Sequence, residues 1–432
     1  MTDSWQFARR GIFYLGFAAV SAVAANDQTA PGDGNARAEE IARRSPIVKS
    51  AEKYLQSAAA AIQDPKLRTA TLDLIGNPKA CVAHRAGLDA RRKDAIVRAL
   101  VMEGLLDPVN ESRSPVSLRA GIFPPLLDDG TDCPKVPQPF YAAPGGLAFR
   151  EHHSYPGGLA IHAAHTVMSA LELGRVFARV YESLGPEGLP ALTLGRKTRA
   201  MLIREDLLVA AAIWHDWPKT FVAQWHADGT IFLEASIGGS GRQDNFGYRG
   251  NSKAEAHVIL AIAEVMARGL GPELAVALAS VHAVPSMGNE YRMVNWIRAA
   301  GIIAGTDPIE HGYLYRDRRR RLRIPPVRWP ANKSVTGESL MESHSLVEYT
   351  IHNMADSTWT FTTPGVREVE RLLARLAPEF GFDPDDRATY NNGFRNPILS
   401  FLTAERLAVI YTNRGLPAVR AEIHELRNRK VF

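Results

Sequence analysis

Six side chains with nitrogen or oxygen donors stand at the ends or along one face of apolar stretches: His162, His215, Asp216, His257, His282 and Asp307. The most distinctive stretch is Trp214-His215-Asp216-Trp217-Pro218-Lys219, where an imidazole and a carboxylate sit side by side as the apolar run "LLVAAAI" ends. In "EHHSYPGGLAIHAAHTVMSALEL", Pro156-Gly157-Gly158 reads as a helix start, and His162 and His165 fall on one face of the helix that follows. His257 lies near the start of "AEAHVILAIAEVMARGL", His282 closes "PELAVALASVHAVP", and Asp307 ends "VNWIRAAGIIAGTD". None of these donors is a thiolate. Imidazole suits Fe, Mn, Zn or Ni, and carboxylate widens the choice toward harder ions. Adjacent ligands at a helix end can chelate or bridge, with Asp216 spanning two ions while His215 holds one. A lone histidine on an apolar helix is ordinarily a satisfied core residue, so the weight rests on the ordered set.

That order, His, His-Asp, His, His, Asp, resembles the HD superfamily of metal-dependent phosphohydrolases. The resemblance covers residues 152–307 and leaves the flanks untouched. "PGGLAIH" is similar to the family's Gly-Gly-Leu-x-x-His opening and carries the first metal histidine onto His162. "HDWPK" is similar to its His-Asp-x-Gly-Lys segment, carrying the central ligands onto His215 and Asp216 and a substrate-facing lysine onto Lys219, with Pro218 in place of the family glycine. His257 and His282 match the extra histidines of dinuclear members, and Asp307 matches the terminal aspartate. Ala283 stands where many of those members have a further histidine, which leaves a dinuclear reading intact.

The resemblance implies two divalent transition-metal ions and a small anionic, phosphate-containing substrate. A metal-acidified water would attack the phosphate ester, with Asp216 and Lys219 as catalytic groups and Lys219 offsetting phosphoryl charge. His165, one turn beyond His162, is expected in the substrate pocket. Arg242 and Arg249, in the glycine-rich "GGSGRQDNFGYRG", are candidates to close over an anion. His152 and His153 read as structural or capping residues, and Trp214, Trp217 and Trp225 as packing. The same donors serve two other readings: a diiron oxygenase of the HD type, and a non-catalytic ligand-sensing module.

Helices must position these groups. Three- and four-residue apolar steps recur in "AEKYLQSAAAAI", "DARRKDAIVRALVMEGLLD", "VREVERLLARLA" and "LTAERLAVIYTNRGLPAVRAEIHEL", so the expected class is mainly α. The resemblance makes this an HD-type helical bundle with helical N- and C-terminal extensions, and the glycine-rich stretch adds a short β-hairpin or loop insertion. The expected division is a signal peptide at 1–24, a linker at 25–35, an N-terminal helical region with a connecting segment at 36–150, the metal-binding domain at 151–315 and a C-terminal helical region at 316–432.

The chain has 432 residues, 46% of them hydrophobic, enough for a substantial core. Its formal charge of +5 permits nucleic-acid binding without implying it, and "RDRRRRLR" (316–323) reads as a solvated loop or as an anion-contacting patch. Arg9 and Arg10 followed by an apolar run and Ala22-Val23-Ala24 have the form of a cleaved export signal, loosely of the twin-arginine kind. That run is short for a bilayer span, so a periplasmic protein with no anchor after cleavage is expected. Cys81 and Cys133 would pair in an exported chain and remain thiols in a cytosolic one. Oligomeric state leaves no mark in the sequence.

Overall fold

The computed structural model describes residues 32–76, 79–81, 88–107, 118–124, 130–146, 151–181, 203–231, 236–237, 239, 252–283, 288–325 and 347–432. The expected signal peptide, Arg242 and Arg249 lie outside the described residues. The architecture is mainly helical, as the periodicity implies.

Three N-terminal helices, α1 (Asn35–Arg44), α2 (Pro46–Ala60) and α3 (Pro65–Gly76), precede α4 (Ala90–Met102) and the short α5 (Leu118–Ile122). Ser45 starts α2 by accepting a hydrogen bond from Val48 N at 3.3 Å, with Pro46 at the first helical position where its missing N–H costs nothing. The central helices are α6 (Gly158–Tyr181), α7 (Glu205–Trp214) and the four-residue α8 (Lys219–Val222). They continue with α9 (Ala256–Ala267), α10 (Pro272–Ser280) and α11 (Glu290–Ala304). Residues Leu207–Trp214 of α7 and Ala256–Met266 of α9 are buried on every face, the pattern of helices enclosed by others. One continuous apolar core runs from Ala38 to Tyr349 and joins the N-terminal helices to these central ones.

Beyond them lie α12 (Val347–Asp356) and α13 (Trp359–Leu376). After them come α14 (Arg387–Tyr390), a π-helical turn (Asn391–Arg395), α15 (Asn396–Leu402) and α16 (Ala404–Asn428), bent at Gly415. A second core, from Val366 to Val431, takes in Tyr155 from the turn before α6. Helix α12 belongs with the central helices, because Ile351 and Ala355 pack with Ala170 of α6 and Leu208 of α7.

Among the described residues, strand is confined to two antiparallel pairs. β1 (Ser236–Ile237) pairs with β2 (Ala254–Glu255) around the glycine-rich insertion, and β3 (Tyr315–Arg316) pairs with β4 (Leu322–Arg323). The second pair is made from the basic run. Arg323 there is buried and donates to Glu290 at 2.7 Å, while Asp317 takes Arg321 at 2.6 Å, so part of that positive charge is spent inside the protein. Cys81 and Cys133 form a disulfide. Among the described residues no helix is long and apolar enough to cross a membrane.

Candidate metal centre

The site begins with a tight turn. Gly157 has a φ of +87°, and a Cβ there would stand 2.3 Å from a Val48 methyl; a Cβ on Gly158 would stand 1.9 Å from the His153 carbonyl oxygen. Only glycines fit, and their close approach folds the 151–157 segment back over the start of α6. The rings of His152 and His153 thereby come within 5.0 and 5.1 Å of the His162 ring. His153 itself holds a φ of 52°, rare for a residue with a side chain and a form of strain that collects at functional sites.

Helix α7 delivers His215 and Asp216 as its chain leaves the core. Trp214 anchors that exit by donating to Thr71 Oγ1 at 3.0 Å, and Trp214, Trp217 and Trp225 are fully buried packing residues, as expected. Pro218 caps α8 and turns Lys219 back toward the preceding acid.

Four donor atoms then converge. His162 Nε2 lies 3.3 Å from Asp216 Oδ2 and 3.0 Å from Asp356 Oδ1. His215 Nε2 lies 3.5 Å and 3.3 Å from the same two oxygens and 3.4 Å from His162 Nε2. Donors around one ion with bonds of about 2.1 Å are separated by about 3.0 Å in an octahedron and about 3.4 Å in a tetrahedron. Four of the five observed spacings fall in that interval, and the fifth, His215 to Asp216, is 3.5 Å. His215 Nδ1 faces the Ala212 carbonyl at 3.1 Å, and a carbonyl can only accept, so Nδ1 donates there and Nε2 is the nitrogen left to face the cluster.

Charge bears on the same cluster. Asp216 and Asp356 are both buried, and among the described residues Lys219 is the one buried ammonium beside them, which leaves a single negative charge to balance. Burial opposes ionisation of Asp216, but Lys219 and then His215 hold its carboxyl well below the usual range. Asp356 is opposed by burial in the same way and held low by hydrogen bonds from His162 and His215. Without a metal the balancing cation is a proton on His162: burial lowers that group, yet Asp216 and Asp356 together raise it to about 9. His162, His215 and Asp356 lie close enough together to hold a metal ion, and Asp216 Oδ2 stands against both histidines.

The other oxygen of Asp216 points elsewhere. Oδ1 lies 3.3 Å from His257 Nε2, and the His282 ring sits edge-on to that of His257 at 6.1 Å. Asp216 is thus placed to bridge. His282, and Glu255 at the start of α9, keep contact with solvent beside His257. Burial raises the Glu255 carboxyl, but the charges of His282 and His257 outweigh it and bring it below its ordinary value. His165 is exposed one turn beyond His162, and burial lowers its pKa.

One expectation needs correction. Asp307 is on the surface, its carboxylate accepting hydrogen bonds from Ile309 N at 2.7 Å and Glu310 N at 3.1 Å in the turn beyond α11. It caps that turn and takes no part in the cluster. The converging acid is Asp356, carried by α12 outside the stretch matched by the resemblance. Lys219 is buried at the cluster, donating to Asp216 Oδ2 at 2.6 Å and to the Gly145 carbonyl. Two of its three donors are engaged, which leaves one for a substrate oxygen.

Other residues at the site went unrecognised in the sequence. His352 donates from Nδ1 to the Ala277 carbonyl at 2.9 Å, and its ring meets that of His215 at 5.1 Å. Burial and the neighbouring His215 push its pKa down to about 3. His352 and Asp356 are four residues apart in "EYTIHNMAD", one helical turn, beside the apolar Ile351 and Ala355. That spacing was the available signal. His152 and His153 do more than cap, since with His162 they form a second group whose ligand atoms can share an ion.

No protein-family model, curated protein or solved structure matches the chain. The likeness to the HD superfamily therefore rests on the sequence motifs alone.

Proposed function

We propose that this protein is a metal-dependent phosphohydrolase of the HD type. The observation that carries the reading is the convergence of His162, His215, Asp216 and Asp356 at ligand spacing, around a charge that needs a cation. A dinuclear centre is supported by the division of Asp216, with Oδ2 on the four-donor cluster and Oδ1 on His257, and His282 and Glu255 alongside. Histidine and carboxylate donors without thiolate suit Fe, Mn, Zn or Ni.

When bound, such ions supply an acidified water and Lewis-acid stabilisation of a phosphoryl oxygen. The chain's own residues do the rest. His215, oriented by donating from Nδ1 to the Ala212 carbonyl, presents Nε2 to the ion. Asp216 and Asp356 set the charge, and Lys219 holds Asp216 in place while offering its remaining donor to an anionic oxygen. His165 and His282, both reached by solvent, are the groups that would meet a small phosphate ester arriving at the centre. The disulfide between Cys81 and Cys133 supports export to an oxidising compartment such as the periplasm.

Elemental analysis together with a phosphoester panel, run anaerobically, tests the reading. The expected result is bound metal and turnover without oxygen, both lost in His215→Ala and Asp216→Ala while helix content persists. Metal content and activity that survive either change place the site elsewhere, and a strict need for oxygen overturns hydrolysis in favour of oxidation.

A further inference from the structure

The C-terminal lobe contains a cleft of about 630 Å³, within the roughly 300–1,000 Å³ typical of small-molecule sites. Arg367 and Arg371 stand one turn apart on α13, and Arg387 opens α14 across from them. Ala374, Pro384 and Tyr390 give the cleft an apolar wall. The nearby acids neutralise this charge only in part. Glu370 is committed to the fully buried Arg395, accepting from its Nε at 2.5 Å, and Glu368 pairs with Arg371 at 3.0 Å. Asp383 and Asp386 accept backbone N–H groups of their own turn at 2.9 and 3.3 Å. Arg367 and Arg387 are exposed and form no ion pair with a carboxylate among the described residues.

Guanidinium groups bind phosphate through paired, charge-assisted hydrogen bonds, and an apolar wall beside them suits an organic group attached to that phosphate. The volume of this half-open cleft matches one small molecule rather than a polymer. We propose that this cleft binds a phosphorylated small molecule of nucleotide size, at a site separate from the metal centre. The walls are tied to that centre by two hydrogen-bonded routes. Thr230, on the lip, belongs to the turn after α8, whose carbonyls at Ala227, Asp228 and Gly229 are held at 2.9 Å by Asn392, Asn391 and Asn396. Glu370 holds Arg395, which donates to the Ser154 carbonyl at 3.1 Å, next to His153. The asparagines and Arg395 are borne by the π-helical turn and the first residue of α15, and such turns are frequent at functional sites.

Calorimetric titration of the chelator-treated full chain with ATP, AMP, pyrophosphate, inorganic phosphate and a short single-stranded oligonucleotide tests the proposal. Chelation removes metal as a competing phosphate site, so failure here is distinguishable from failure of the hydrolase reading. ATP or AMP is expected to bind at one site and to outbind pyrophosphate and phosphate. A double variant, R367Q with R387Q, should weaken that binding about tenfold or more, while D356N leaves it unchanged. Both arginines are exposed, so the double variant should retain the parent melting temperature. Equal binding by the double variant, loss of binding in D356N, preference for the bare anions or the oligonucleotide, or no binding at all overturns the proposal.

Discussion

At the scale of single residues, the centre depends on which aspartate completes it. Asp356→Ala should abolish metal uptake, whereas Asp307→Ala, which removes only a surface turn cap, should leave metal content and turnover unchanged; elemental analysis of the two variants separates these outcomes. Two histidines also make stability depend on pH in opposite directions when metal is absent. His162, raised to about 9 in the folded chain, contributes stability that is complete below the unfolded value of 6.5 and is lost as pH climbs through 9. His352, pushed down to about 3, stays neutral in the fold, so its unfolded form gains a proton first and stability is lost as pH falls below 6.5. Each such group changes stability by about 1.4 kcal/mol per pH unit within its window. Metal-free protein should therefore melt at its highest temperature near pH 6.5. Metal should remove the alkaline decline, because a ligated His162 has no proton to lose. A flat metal-free profile between pH 6 and 9, measured by calorimetry, would contradict the proton assignment.

At the scale of elements, helix ends and short turns aim the donors. The tryptophan-anchored exit of α7 and the glycine turn before α6 are both visible as sequence, since "PGGLAIH" and "WHDWPK" already specify where each helix starts or stops. Helix α12 is different. Its contribution depends on Ile351 and Ala355 docking between α6 and α7, a long-range contact that no local pattern reveals. Asp307 was the plausible choice because it follows an apolar helix in the expected order, yet an aspartate in that position serves equally as a turn residue. Truncating Ile351 to Ala should cost about 2–5 kcal/mol and lower metal affinity along with it, since the same helix carries His352 and Asp356. Unchanged metal affinity in that variant, read by competition with a chelator, would uncouple α12 from the site.

At the scale of the whole molecule, the C-terminal lobe is fastened to the centre rather than appended to it. Tyr155 sits in the second core and donates to Glu405 of α16 at 3.1 Å, and His153 lies 3.6 Å from the same carboxylate. Arg395, fully buried, joins Glu370 to Ser154. Arg395→Met strands Glu370 and should cost about 3–5 kcal/mol; a melting temperature equal to the parent's would show that the lobe is dispensable. Reducing the Cys81–Cys133 bridge, which closes a loop of 52 residues, should cost about 2–4 kcal/mol, seen as a lower melting temperature in reductant.

The sequence by itself determined the helical class, the turns that start and stop the central helices, and the donors His162, His215 and Asp216, because periodicity, caps and adjacent ligands are local properties of the chain. Tertiary structure alone decided that Asp356 rather than Asp307 completes the cluster, that Lys219 folds inward onto Asp216, and that Asp216 faces His257 with its second oxygen. Those outcomes depend on how helices far apart in sequence pack against one another, and coordination is a matter of distance in space.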